Sequence, residues 1–147
     1  WDHWVSSILV YSKNITVIYK SHFNEDDVKK IVEQYVYNNK STLTLNDCKD
    51  YMREYCNLVS GDIKSLFKLN DHEMGSSLPL VTRGYDELFY PVIPAKKTHK
   101  ENWILQFGNH FFHHTIHLYI QRDDIINEMQ FPQINSLNEK EEDFELF

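Results

Sequence analysis

Glu54 and Asn57 are the pair in this 147-residue chain whose types and spacing invite chemistry. They stand at i and i+3 within "EYCNLVSGDIKSLF", residues 54–67, and so project side by side from neighbouring turns of a helix. A carboxylate there can take a charge-assisted hydrogen bond from an ammonium group. An amide beside it accepts through its oxygen and donates through its nitrogen while staying uncharged. Taken alone, such a pair is also what an ordinary solvated helix face carries. Gly61 sharpens the question, because a glycine inside a helix costs about 1 kcal/mol relative to alanine and asks for a packing reason or a partner that must come close.

Two other groupings compete. The run "HFFHHTIHLYI" holds His110, His113, His114 and His117, but strand alternation puts His113 and His117 on one face and His110 and His114 on the other. No more than two converge and no carboxylate sits at a matching position nearby, so they read as surface or strand-edge histidines rather than a zinc site. Ser76-Ser77-Leu78-Pro79 lacks the glycine frame of a nucleophile elbow and reads as structural. Cys56 lies beside the pair with no basic neighbour to make a thiolate, which predicts a buried, inert thiol.

The element carrying the pair is a helix over 46–68, with Thr44 or Asn46 as its cap and no internal proline. At about 100° per residue, Cys48, Tyr51, Tyr55, Leu58, Val59 and Leu66 share a broad apolar face flanked by Met52 and Ile63. Asp47, Asp50, Glu54, Asn57, Gly61, Lys64 and Lys68 share the other. Gly61 then leaves a flat place on the solvent side beside Glu54 and Asn57; the alternative is that it begins a kink or a helix end.

Around this helix the pattern predicts an α/β chain of the α+β type, with helices packed on a mainly antiparallel sheet. "WVSSILVYSKNITVIYKSHF" is a hairpin broken at Ser12-Lys13-Asn14. Asn24 then caps a helix with Val28, Ile31, Val32, Tyr35 and Val36 on one stripe. Gly75, Pro79, Gly84, Pro91 and Pro94 interrupt the next stretch, which reads as a broken strand or loop. "ENWILQFGNHFFHHTIHLYIQ" is a second hairpin turning at Gly108-Asn109. Residues 1–131 form one domain, and 132–147 an acidic, mobile tail with Phe144, Leu146 and Phe147 as a docking patch.

Composition bounds the partners. A hydrophobic share of 41% suffices for a core, while a net charge of −7 argues against a nucleic-acid or anionic-membrane surface. No apolar run spans a membrane and the start lacks a signal-peptide layout. Cys48 and Cys56 stand roughly 12 Å apart along one helix, out of disulfide reach, so a reducing cytoplasm is the expected compartment.

"EYCNLVSG", a Glu-x-x-Asn followed by a small residue and glycine, resembles the active-site helix of the CheX/CheC family of chemotaxis phosphatases. "DIKSLF" is similar to the end of that helix, and "SSLPLVTRG" to the family's Ser-Leu-Pro strand that ends at a glycine. The likeness runs over residues 4 to about 121. A second Glu-x-x-Asn helix, typical of CheC members, is not found, which favours the single-site CheX type.

The resemblance implies hydrolysis of the phospho-aspartate of a CheY-like receiver domain. Asn57 would position the attacking water and Glu54 would engage the receiver's lysine. Asp50, Ser60, Gly61 and Lys64 would form the partner-binding surface, with Ser60 and Gly61 letting the receiver's loops approach the helix backbone. Mg2+ would be supplied by the receiver, leaving this chain with no metal or cofactor of its own, and the family suggests a homodimer. The alternatives are a non-catalytic module that binds a receiver or another signalling protein, and a structural dimerisation domain.

Overall fold

The structure, a computed structural model, describes residues 3–35, 43–85 and 93–122. It opens with β1 (His3–Tyr11) and β2 (Ile15–Asn24), paired antiparallel from His3↔Asn24 to Tyr11↔Thr16. The break at Ser12-Lys13-Asn14 is the turn: the Ser12 amide donates to the Ile15 carbonyl at 2.8 Å, and its hydroxyl accepts from the Ile15 amide at 3.3 Å. β2 then runs without a loop into α1 (Glu25–Tyr35), whose first turn sets Glu25, Asp26 and Asp27 against the positive end of the helix dipole. Val28, Ile31 and Val32 of its predicted stripe are buried.

α2 (Leu45–Lys68) is the predicted long helix, and Thr44 is its cap. The Thr44 hydroxyl accepts from the Asp47 amide at 3.3 Å, while the Asp47 carboxylate accepts from the Thr44 amide at 2.7 Å. This reciprocal box satisfies two donors that the helix start would otherwise leave open. The hydrogen bonds from Thr44 also hold the Asp47 carboxyl below its usual range.

The interrupted stretch resolves into two short strands, β3 (Gly75–Ser76) and β4 (Leu80–Arg83), both antiparallel to β1. Between them Ser77 is pinned to β1: its amide donates to the Leu9 carbonyl at 2.8 Å and its hydroxyl accepts from the Leu9 amide at 3.1 Å. Pro79, lacking an N–H, sits in the gap between the two pieces. β5 (Lys97–Phe107) and β6 (His110–Ile120) form the closing hairpin, turning at Gly108 with a φ of 59° that suits glycine.

β3 and β4 share the outer edge of β1, and β2, β6 and β5 follow in that order, so the described residues make one six-stranded sheet in which every pairing is antiparallel. Trp4, Ile8 and Val10 of β1 and Ile15, Val17, Tyr19 and Phe23 of β2 join the helices in the core. Both helices therefore cover one face of the sheet. Residues of opposite parity, among them His3, His22 and His113, lie on the other face.

The predicted class, helices on a mainly antiparallel sheet, is the observed one. Val36, Pro91 and the acidic segment 132–147 with Phe144, Leu146 and Phe147 lie outside the described residues. Among the described residues no helix is long and apolar enough to cross a membrane.

Candidate functional site

The rotation of α2 about its axis is set by β1. The Ser6 hydroxyl donates to the Met52 carbonyl at 3.0 Å, and the Cys56 thiol donates to the Ser6 oxygen at 3.1 Å. Cys48, Met52, Cys56, Ser60 and Phe67 are the buried line. This differs from the expected apolar face. Leu58, placed on the core side by periodicity, is 63% exposed. Phasing the helix on its bulkiest side chains misses that the sheet takes a line rich in small ones, which lets α2 lie close on β1.

Ser60 is corrected by the same rotation. It was expected to stand with Gly61 as open surface, but it is buried at 3% exposure and its hydroxyl donates to the Asn57 carbonyl at 2.8 Å. It braces the turn carrying Asn57 from beneath and offers no side chain to a partner. Gly61 does face outward: a Cβ built there would meet nothing within 4 Å. The helix also runs on to Lys68, so Gly61 does not end it.

Glu54 and Asn57 both stand exposed on the outer face, and the Asn57 Nδ2 donates to the Glu54 Oε2 at 3.2 Å. One N–H thus fixes the amide's orientation. The amide keeps a second N–H donor and the Oδ1 acceptor. Asp50 is held in an ion pair by Arg53 one turn away. Lys64 is half-buried and its ammonium donates to the Ser76 hydroxyl at 3.3 Å, so its charge leans toward β3. Leu58 and Asp62 are also exposed on this helix.

The other candidates fall elsewhere. Burial pushes the Cys48 and Cys56 thiols up to about 11, which makes both poor nucleophiles. The four strand histidines alternate as expected, with two corrections. His110 does have a carboxylate, Asp27 of α1, 2.8 Å from its Nδ1, supplied by another element and therefore invisible within the strand. His114 is not at the surface: it is 1% exposed, lies 2.7 Å from the Tyr19 hydroxyl through Nδ1, and has its ring stacked on those of Tyr19 and Trp103, at centroid distances of 5.8 and 5.4 Å. Burial, helped by His113 and His22, pushes it down to about 4.

Sequence reasoning missed Ser6, which orients α2, and the pair His3 and His22, whose nitrogens are 3.0 Å apart. Strand parity would have put both histidines on one face once the β1–β2 register was assumed. Among the described residues no group of three or more His, Cys, Asp or Glu is arranged to hold a metal ion.

No protein-family profile matches the chain, and no curated protein matches it by sequence. Solved structures do match its fold. A CheC-like superfamily protein from Shewanella sp. PV-4 superposes with a TM-score of 0.60 at 16% identity, over 78% of this chain and 72% of that one. The chemotaxis protein CheX from Vibrio vulnificus gives 0.59 at 15% identity, over 78% and 74%. The CheX-CheY-BeF3-Mg+2 complex from Borrelia burgdorferi gives 0.57 at 8% identity, over 81% and 76%. The fold is that of the CheX and CheC-like proteins.

Proposed function

We propose that this chain is a CheX-type phosphatase that hydrolyses the phospho-aspartate of a CheY-like receiver domain. The observation that carries the reading is the hydrogen-bonded Glu54–Asn57 pair, standing exposed beside the bare backbone at Gly61, on a fold shared with CheX. The solved CheX complex with CheY supplies the class of partner.

In this reading a water molecule donates to Asn57 Oδ1 and its oxygen attacks phosphorus opposite the acyl oxygen. The P–O bond to the receiver's aspartate breaks, the carboxylate leaves, and inorganic phosphate is released. The loose transition state of phosphoryl transfer demands little proton abstraction, so placing one water in line is most of what the chain must add. An amide does this without repelling the anionic phosphoryl oxygens, and its second N–H is available to donate toward them. Glu54 both steadies the amide and takes a charge-assisted hydrogen bond from the receiver's lysine, fixing the docking register. Asp50, Gly61 and Lys64 line the contact, and Mg2+ comes with the receiver.

The chain acts as a homodimer in the cytoplasm. β5 is the terminal strand of the sheet, its far edge is unpaired among the described residues, and nearly all of it is exposed, which offers an edge to a second copy. The two buried, reduced thiols suit a reducing compartment.

The test is decay of a phosphorylated receiver in Mg2+ with saturating chain. Accelerated decay that falls about a hundredfold in Asn57→Ala, with melting temperature and receiver affinity kept, supports the reading. Binding without accelerated decay would make the chain a docking module, and neither binding nor decay with any receiver would leave the fold's structural role.

A further inference from the structure

The geometry points to a separate binding site, for a divalent d-block cation of the zinc type, at His3 and His22 on the sheet face turned away from both helices. His3 Nε2 and His22 Nδ1 lie 3.0 Å apart, with the rings stacked at a centroid distance of 5.2 Å. The register sets His3 opposite Asn24 and His22 opposite Val5, so the two are diagonal neighbours on one face, within reach of side chains this long.

Two imidazole nitrogens on one zinc ion, each at about 2.0–2.1 Å, stand about 3.3 Å apart when the ligands are tetrahedral. The observed pair therefore needs to open by only a few tenths of an ångström. As neutral rings the two nitrogens share one proton. Moving that proton to the ring's outer nitrogen, a change of tautomer without net proton release, turns two lone pairs toward a common point. Imidazole pairs favour borderline ions such as Zn2+ over hard ones such as Mg2+, so this is not the ion of the phosphatase reading.

The seat of His3 is built. A Cβ at Gly84 would fall 2.0 Å from His3 Cδ2, so only glycine leaves the ring its place. The pair opens into a cleft of about 560 Å³ whose lining includes Asn102, His113 and Thr115. That volume admits water molecules to the remaining coordination positions. Because no third ligand is grouped with the pair among the described residues, the site is a two-histidine chelate completed by water. His113, directly across from His22, is next in line.

The experiment is calorimetric titration of Zn2+ into the purified full chain near neutral pH. His3→Gln, His22→Gln and Gly84→Ala are tested beside His117→Gln, a histidine on the same face farther along β6. One zinc per wild-type chain is expected, with affinity at least about tenfold lower in the first three variants and unchanged in His117→Gln. Zinc should raise the melting temperature of the wild type and of His117→Gln only, which separates binding from failure to fold. Absence of saturable uptake by the wild type overturns the site. So does wild-type affinity in His3→Gln, His22→Gln or Gly84→Ala, or a loss in His117→Gln as large as theirs.

Discussion

His114 should make this fold acid-sensitive between about pH 6.5 and about pH 4. Its imidazole, buried against Tyr19 and Trp103, protonates at about 4 rather than at the ordinary 6.5. Between these values the unfolded chain binds a proton that the folded chain refuses, so stability falls as the pH drops through 6.5 and the loss levels off near 4. At about pH 5 the unfolded form lies roughly 1.5 units below its pKa while the folded imidazole is still neutral, a loss of about 2 kcal/mol. His114→Gln carries no such proton, and its amide can either donate to or accept from the Tyr19 hydroxyl. Urea unfolding followed by circular dichroism, at steps from about pH 7.5 to about pH 5, isolates the effect as the difference between the two slopes. With a urea dependence near 2 kcal/mol per molar, the wild-type midpoint should fall by about 1 M more than the variant's. Parallel profiles for the two proteins would refute the argument, whatever their absolute stabilities.

Glu54→Ala should weaken receiver binding by about tenfold at low ionic strength, with the deficit shrinking as salt is added, because the contact stands at an exposed rim; titration calorimetry at two salt concentrations checks it. Asn57→Asp should hydrolyse no faster than Asn57→Ala in the phosphoreceiver assay, despite its near-equal size, since its charge opposes the phosphoryl group. Gly61→Ala should raise stability by about 1 kcal/mol, as the added methyl meets open space and the helix gains propensity, whereas Gly61→Phe should keep the fold and abolish receiver binding. Thr44→Ala should cost about 1 kcal/mol by opening the capping box, measured as a lowered melting temperature with unchanged decay kinetics.

The elements were readable because their signals are local. Turn residues at Ser12–Asn14 and Gly108, acids opening α1, and Thr44, one of the two cap candidates for α2, each act over a few positions and fall where the structure has them. The outward setting of Glu54, Asn57 and Gly61 was readable too, because a polar stripe on a helix is a statement about its own periodicity. What escaped depended on a second element. Leu58 and Ser60 exchanged sides because Ser6, about fifty residues earlier, decides which line of α2 meets the sheet. Asp27 beside His110 and the burial of His114 likewise follow from pairings that no window along one strand contains.

The hydrogen bonds that Ser6 makes with Met52 and Cys56 carry one more implication. A helix held to a sheet by apolar contacts alone can roll by small steps at little cost, and each roll would swing outer side chains by ångströms. Directional bonds deny α2 that freedom, so what faces the sheet and what faces solvent become independent texts written on one cylinder. The inner text, Cys48, Met52, Cys56, Ser60 and Phe67, specifies a seat. The outer text, from Asp50 to Ser65, can be rewritten without disturbing it. A new partner could therefore be addressed by redrawing the outer text around a retained Glu54 and Asn57, one exposed position at a time, each intermediate remaining folded.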